Sequence, residues 1–344
     1  MLIEDDVKLD YSDVLIRPKR STLTSRFDVD MKRTYKFYHS ENEWTGIPIM
    51  ASNMDTTGTF NMHNVLSDHG MITCIARHFN KDGKNWDQAK SRKHLCVMSG
   101  ISDKEILEIV AVVSTFPDIS FVGLDVANGY TINVVNAIKH LRVHLPKAII
   151  IAGNVVTADM TAELILAGAD IIKVGIGGGS VCTTRIKTGV GYPQLSAVIE
   201  CADAAHGIGG HIIADGGCNS SGDIVKAFAA GADFVMVGGM LAGHDECDGE
   251  LVFEDDNSKP VGMQFYGMAS KTAMDRHGHS NREYRGEEGK TVTVPYRGPV
   301  NYTAIDILGG IRSSCTYVGA KQLKDLSKCT TFVRVNNTHN RIYE

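Results

Sequence analysis

Eight short runs rich in Ile and Val recur along the chain, each followed by a longer amphipathic stretch, and this alternation constrains the fold more than any other feature. The runs are Ile47–Ala51, Met71–Ile75, Leu95–Ser99, Ser120–Asp125, Ala148–Ala152, Ile171–Gly175, His211–Ala214 and Phe234–Gly238. Strands buried on both faces of a parallel sheet read this way, because neither face is left to water and polar alternation disappears. Helical patterns fill the intervals at Ser102–Ser114, Thr131–His144, Ala158–Ala167, Pro193–Ala205 and Ser221–Ala230. The first of these begins with Ser102 and places Glu105 three residues on, which is capping-box spacing.

Eight βα units joined by right-handed crossovers close into a (β/α)8 TIM barrel, with an open doubly wound sheet as the structural alternative. Turn chemistry favours the barrel. It gathers behind the strand C-termini, at Asp125–Gly129, Gly153–Val155, Gly175–Gly179, Asp215–Gly217 and Gly238–Gly239, where a barrel builds its active site. A polar, glycine- and charge-rich stretch over about 242–299 then reads as a long mobile flap after strand eight. The expected organisation is one TIM-barrel catalytic domain over residues 1–344. With 43% hydrophobic and 22% charged residues, the chain can bury a core of that size.

A net charge of −5 with scattered basic residues argues against nucleic acid as a partner. The acidic N-terminus and the lack of any apolar run of spanning length argue against a membrane, and the expected location is cytoplasmic. The eight cysteines form no C-x-x-C pair, and the 13 histidines form no H-E-x-x-H motif, so neither a disulfide scaffold nor a catalytic transition metal is expected.

Chemistry concentrates in Gly175–Gln194, GIGGGSVCTTRIKTGVGYPQ. Glycines before Cys182 leave the backbone free to turn its N–H or C=O groups toward a ligand. The hydroxyls beside Cys182, and Arg185, are polar surroundings able to stabilise a thiolate nucleophile; a simple turn holding a buried thiol is the bland alternative. Asp215, Gly216 and Gly217, with Gly238 and Gly239, close strands seven and eight, where barrels hold phosphate on main-chain N–H groups. Asp215 would accept hydrogen bonds from ribose hydroxyls. In the flap, a carboxylate between Gly286 and Gly289 could swing over the mouth and manage a proton, although charged runs of this kind are mostly solvated surface.

Taken together, DYSDVLIRP at Asp10–Pro18, IMASNMD at Ile49–Asp55, the Cys182 loop, IADGGC at Ile213–Cys218, FYGM at Phe265–Met268, EGKT at Glu288–Thr291 and ILGGIRSSCTYVG at Ile307–Gly319 resemble the IMP dehydrogenase/GMP reductase family over nearly the whole length. VCTTR-x-KTGVGYPQ resembles the reductase side of the family. The short interval between Ile75 and Leu95 leaves no room for the CBS regulatory domain that dehydrogenases usually insert.

The resemblance implies NADPH-dependent reductive deamination of GMP to IMP and ammonia, as in purine interconversion, through a covalent Cys182 thioimidate with Thr184 and Glu288 moving the proton. It implies substrate contacts from Asp215, Gly216, Gly217, Gly238, Gly239, Gly267, Met268, Ala269, Arg285, Gly286, Glu287 and Gly289. Cofactor contacts would come from Asp125, Val126, Ala127, Ile176, Gly177 and Tyr284. Ser25, Arg26, Arg77 and Ser313, Ser314, Cys315 and Thr316 would add to these, the last four from a neighbouring subunit, which implies a homotetramer. A monovalent cation, K+, would be held by the carbonyls of Gly177, Gly179 and Cys182, with Arg185 as the fourth residue of the site. Gly178 stands where the family pattern expects Pro, and Ala269 where it expects a hydroxyl. The alternatives are an IMP dehydrogenase lacking its regulatory insertion and a nucleotide-binding barrel without turnover.

Overall fold

A computed structural model describes residues 3–80, 86–254, 259–278, 286–336 and 338. Every apolar run forms a strand: β1 (Ile49–Ala51), β2 (Ile72–Ile75), β3 (Leu95–Ser99), β4 (Phe121–Asp125), β5 (Ile149–Val155), β6 (Ile171–Val174), β7 (His211–Asp215) and β8 (Phe234–Val237). Neighbours pair in parallel, and β8 returns to β1 with Val235 opposite Ile49 and Met236 opposite Met50, so the sheet is a closed barrel. The open-sheet alternative is thereby excluded.

Side chains divide by the two-residue period of a strand. Met50, Ile72, Cys74, Cys96, Met98, Phe121, Ile149, Ile151, Ile171, Ile213, Phe234 and Met236 fill the barrel interior. Ile49, Ala51, Ile75, Val97, Leu124, Ile172 and Ile212 face the helices instead. A hairpin of Arg33–Lys36 and Glu43–Gly46 seals one end with Tyr35, Phe37 and Trp44; Tyr35 and Phe234 have ring centroids 4.6 Å apart.

The outer layer includes α1 (Phe60–Leu66), α2 (Asp103–Thr115), α3 (Ile132–His144) and α4 (Ala158–Leu166), followed by the short α5 (Thr184–Thr188), then α6 (Gln194–Gly207) and α7 (Ser221–Ala229). The capping box forms as its spacing predicts: the Glu105 N–H donates to Ser102 Oγ at 3.4 Å and the Ser102 N–H to Glu105 Oε2 at 3.3 Å. Between β2 and β3 the described residues make 3-10 turns at Arg77–Asn80, Trp86–Gln88 and Arg92–His94, and the two strands pair directly.

A repeated Gly-Ala-Asp pegs the strand entries. Asp170 Oδ2 accepts the Ile150 N–H on β5 at 3.0 Å, and Asp233 Oδ2 accepts the Ile212 N–H on β7 at the same distance. Each carboxylate therefore ties the strand that follows it to the strand before, and each is balanced by a base: Arg142 on Asp170, and His206 and His211 on Asp233.

Where the sequence suggests one long irregular flap, the structure contains a three-stranded antiparallel sheet, β9 (Leu251–Phe253), β10 (Pro260–Tyr266) and β11 (Thr291–Pro295), with α8 (Lys271–Arg276) between the last two. Phe265 of this sheet packs with Val181 and Ala242 in a small core of its own. The chain then rejoins the barrel through α9 (Val300–Val318). Among the described residues no helix is long and apolar enough to cross a membrane.

Candidate active site

Cys182 lies at the entry to α5, in the loop that leaves β6. Its thiol donates to Thr184 Oγ1 at 3.2 Å, and the Thr184 hydroxyl donates to Glu288 Oε2 at 2.8 Å. Glu288 is 104 residues from Thr184 in sequence, and backbone pairing brings it beside the Cys182 loop. Cys182 and Gly289 form an antiparallel bridge, the Thr183 N–H donates to Glu288 O at 2.9 Å, and the Lys290 N–H donates to Val181 O at 2.9 Å. A second layer of the flap backs this edge, where the Gly267 N–H donates to Lys290 O and the Glu288 N–H to Ala269 O, both at 3.2 Å. A Cβ on Gly289 would come within 3.2 Å of Gly267 Cα, so this crossing needs its glycines. A half-buried sulfur, a hydroxyl and a carboxylate in line can pass a proton from the thiol to Glu288.

The loop before Cys182 is locked against the ends of β7 and β8. The Gly217 N–H donates to Gly178 O at 2.8 Å. Gly175 takes φ +150°, and a Cβ there would stand 1.9 Å from Asp215 O. A Cβ on Gly239 would stand 2.7 Å from Ser180 Oγ and one on Gly238 2.9 Å from Ser52 Oγ, so two hydroxyls lie against the glycines expected to receive a phosphate.

The Arg185 guanidinium donates to Asp10 Oδ2 at 3.1 Å and to Tyr192 O at 2.6 Å. Asp10 also accepts the Gln194 N–H at 2.6 Å, and the Gln194 amide donates to Val174 O at 2.7 Å. Through these contacts the Arg185 side chain braces the glycine loop. DYSDVLIRP owes its importance to the same brace: Asp10 holds both ends of Arg185–Gln194, and Tyr11 packs under Gly217.

On β6 itself, Lys173 Nζ lies 2.5 Å from Asp125 Oδ1 and 3.4 Å from Asp215 Oδ2. Asn53 donates to Asp125 Oδ2, and Asn154 to Asp215 Oδ2, each at 2.8 Å. Burial alone would raise the pKa of Asp125, but the charge of Lys173 and its hydrogen bond outweigh that and lower it. Burial would likewise lower Lys173, yet the charges of Asp125 and Asp215 hold it well above its ordinary value. Lys173, Asn53 and Asn154 are absent from the sequence reading. The available signal was a lysine inside the apolar run IIKVG, which the two-residue period turns into the barrel with Ile171.

Val126 and Ala127 follow Asp125 at this mouth, where Val126 exchanges backbone hydrogen bonds with Gly153 and Asn154. Arg77 Nη1 lies 3.8 Å from Glu105 Oε1 and contributes to the lowered pKa of Asp125. Ile176, Gly177 and Gly179 lie in the glycine loop, Gly177 with φ +81°. Met268 and Ala269 form the flap turn, and Gly286 and Glu287 lead into Glu288 on exposed chain. Tyr284 and Arg285 lie outside the described residues. Ser25 and Arg26, with Ser313–Thr316, form a separate group, since α9 packs on the Arg26–Asp28 turn; Cys315 is buried there rather than presented to the Cys182 loop.

A family model described as the IMP dehydrogenase/GMP reductase domain matches residues 8–341. The chain belongs to the IMP dehydrogenase/GMP reductase family. Within it, the chain is 55% identical to a GMP reductase of Shigella boydii over 347 residues, covering 100% of this chain and 99% of that one. It is 54% identical to GMP reductase 1 of Homo sapiens, covering 99% of both chains. A GMP reductase variant of Trypanosoma brucei, solved in complex with guanosine 5'-monophosphate, superposes with a TM-score of 0.84 at 25% identity over 96% of each chain.

Proposed function

We propose that this chain is a GMP reductase: GMP, NADPH and a proton are converted to IMP, ammonia and NADP+. The observation that carries the reading is the Cys182–Thr184–Glu288 line, found in a family member whose full-length relatives bear that name.

The Cys182 thiol gives its proton through Thr184 Oγ1 to Glu288, and the sulfur bonds to C2 of the guanine. Glu288 returns a proton to the departing amine, the C2–N bond breaks, and ammonia leaves a thioimidate on Cys182. C2 then accepts hydride as the C–S bond breaks, which releases IMP and the thiolate. Splitting the displacement in two and placing a carboxylate on the proton path are together worth orders of magnitude in rate.

Asp215 and the glycines at 216, 217, 238 and 239 hold ribose and phosphate, while Gly267–Ala269 and 286–289 cover the base. The mouth suits a nicotinamide dinucleotide because Asp125, fixed by Lys173 and Asn53, keeps 29% of its side chain open to solvent and can accept from ligand N–H or O–H groups. NADPH, when bound, supplies the hydride. Gly177, Gly179 and Cys182 present the carbonyls for K+, and Ser25, Arg26 and Ser313–Thr316 would reach a cofactor in a neighbouring subunit of a homotetramer. Cytoplasmic purine interconversion is the setting this chemistry fits.

The test is a pair of assays on the full chain. GMP-dependent oxidation of NADPH, with IMP and ammonia as products, is expected. Formation of reduced nicotinamide from IMP, without GMP-dependent oxidation, would make the chain a dehydrogenase instead.

A further inference from the structure

The flap edge that carries Glu288 must be fixed over the barrel for the proton path to exist, and a hydrogen-bond network around Asp55 fixes it. Tyr266 ends β10, pairs with Thr291 across the sheet, and directly precedes the Gly267–Ala269 turn. Its hydroxyl donates to Asp55 Oδ2 at 3.0 Å and accepts from Arg276 Nη1 at 2.9 Å. Asp55 sits in the loop after β1 and is 1% exposed. The same Oδ2 accepts from His277 Nε2, just past α8, at 2.7 Å, while His78 Nδ1 stands 3.2 Å from Oδ1. Arg276 continues to Asp248 Oδ2 at 2.9 Å, and the Asp248 N–H donates to Thr56 O at 3.0 Å, closing the network on the Asp55 loop.

Burial would raise the pKa of Asp55, but hydrogen bonds and charge from the two histidines bring it down to about 2. Burial first, and the Asp55 charge after it, push Tyr266 up to about 12. The carboxylate is thus an acceptor only and the phenol a donor to it, which gives the bond one direction.

We infer that Asp55 is a positioning residue for Glu288, clamping Tyr266 and, through it, the turn whose Ala269 carbonyl and Gly267 N–H hold the Glu288–Lys290 backbone. The inference rests on Glu288 being the proton carrier proposed above. A carboxylate that merely glued the flap down would affect stability and every kinetic step alike; a positioning carboxylate acts only while Glu288 is there to be positioned.

The experiment is a single-turnover cycle on the full chain with GMP and NADPH, comparing Tyr266→Phe, Glu288→Gln and the double variant. Tyr266→Phe keeps the ring volume and leaves Asp55 its two histidines. It is expected to slow ammonia release by roughly tenfold to a hundredfold, the cost of a misplaced reacting group. In the Glu288→Gln background the same change should add nothing. Asp55→Asn should slow the same step as Tyr266→Phe. Equal slowing by Tyr266→Phe in both backgrounds, or a wild-type rate for that variant while Glu288→Gln is slow, would overturn the inference alone. A wild-type rate for Glu288→Gln would remove the proton role of Glu288 and the inference with it.

Discussion

Lys173 shows how a single side chain can organise a mouth. It is 2% exposed and balances two carboxylates, one on the side proposed for cofactor and one on the side proposed for substrate. Replacing it by Met keeps the length and leaves Asp125 and Asp215 without their cation. Breaking a sealed ion pair costs about 3–5 kcal/mol, but these carboxylates keep 29% and 23% exposure, so water takes up part of the charge and roughly 2–3 kcal/mol is expected. Urea midpoints of the two proteins check this, and an unchanged midpoint would show that the lysine is not a keystone. The residue was missed in the sequence because a strand was recognised by its apolar majority; only the closed barrel makes an inward lysine meet aspartates from two other strands.

At the scale of elements, the eight strands and the capped α2 were legible because period and end signals are local. The flap sheet was not, since β9, β10 and β11 are partly exposed and separated by polar, charged chain, and the small core that Phe265 forms with Val181 and Ala242 joins residues distant in sequence. The residues alone single out Cys182 by its loop and a flap carboxylate by its glycines, and only the family likeness groups Cys182, Thr184 and Glu288. What joins them is the bridge from Cys182 to Gly289. That joint depends on how β6 leaves the barrel. Gly175→Ala would place a methyl 1.9 Å from Asp215 O at φ +150°, and both faults require backbone movement. A loss of at least about 2 kcal/mol is expected, together with weakened GMP binding, because Asp215 and the Cys182 loop must shift together. Thermal melts with and without GMP measure both; an Ala variant with wild-type melting and GMP stabilisation would contradict this packing.

For the whole molecule, buried titrating groups set the acid limit. His63 on α1 is fully buried, and burial lowers its pKa from 6.5 to about 4. As pH falls the unfolded chain takes up this proton first, so the contribution is fully present above 6.5 and is lost on the way down to about 4, amounting to about 3 kcal/mol. Asp55, brought from 3.8 to about 2, acts in a lower window: its contribution is present above 3.8 and is lost as pH falls toward 2. Urea midpoints from neutral pH to about pH 4 should therefore decline, and His63→Leu should flatten the decline. A wild-type protein with level stability across that range would contradict the assignment.

Bonding of Cys182 to the purine is read from the intact mass of the protein quenched during turnover of GMP. An adduct of one purine nucleotide less ammonia is expected, carried on Cys182 and absent from Cys182→Ala, which should still bind GMP. Turnover by Cys182→Ala, or an adduct on another residue, would contradict it.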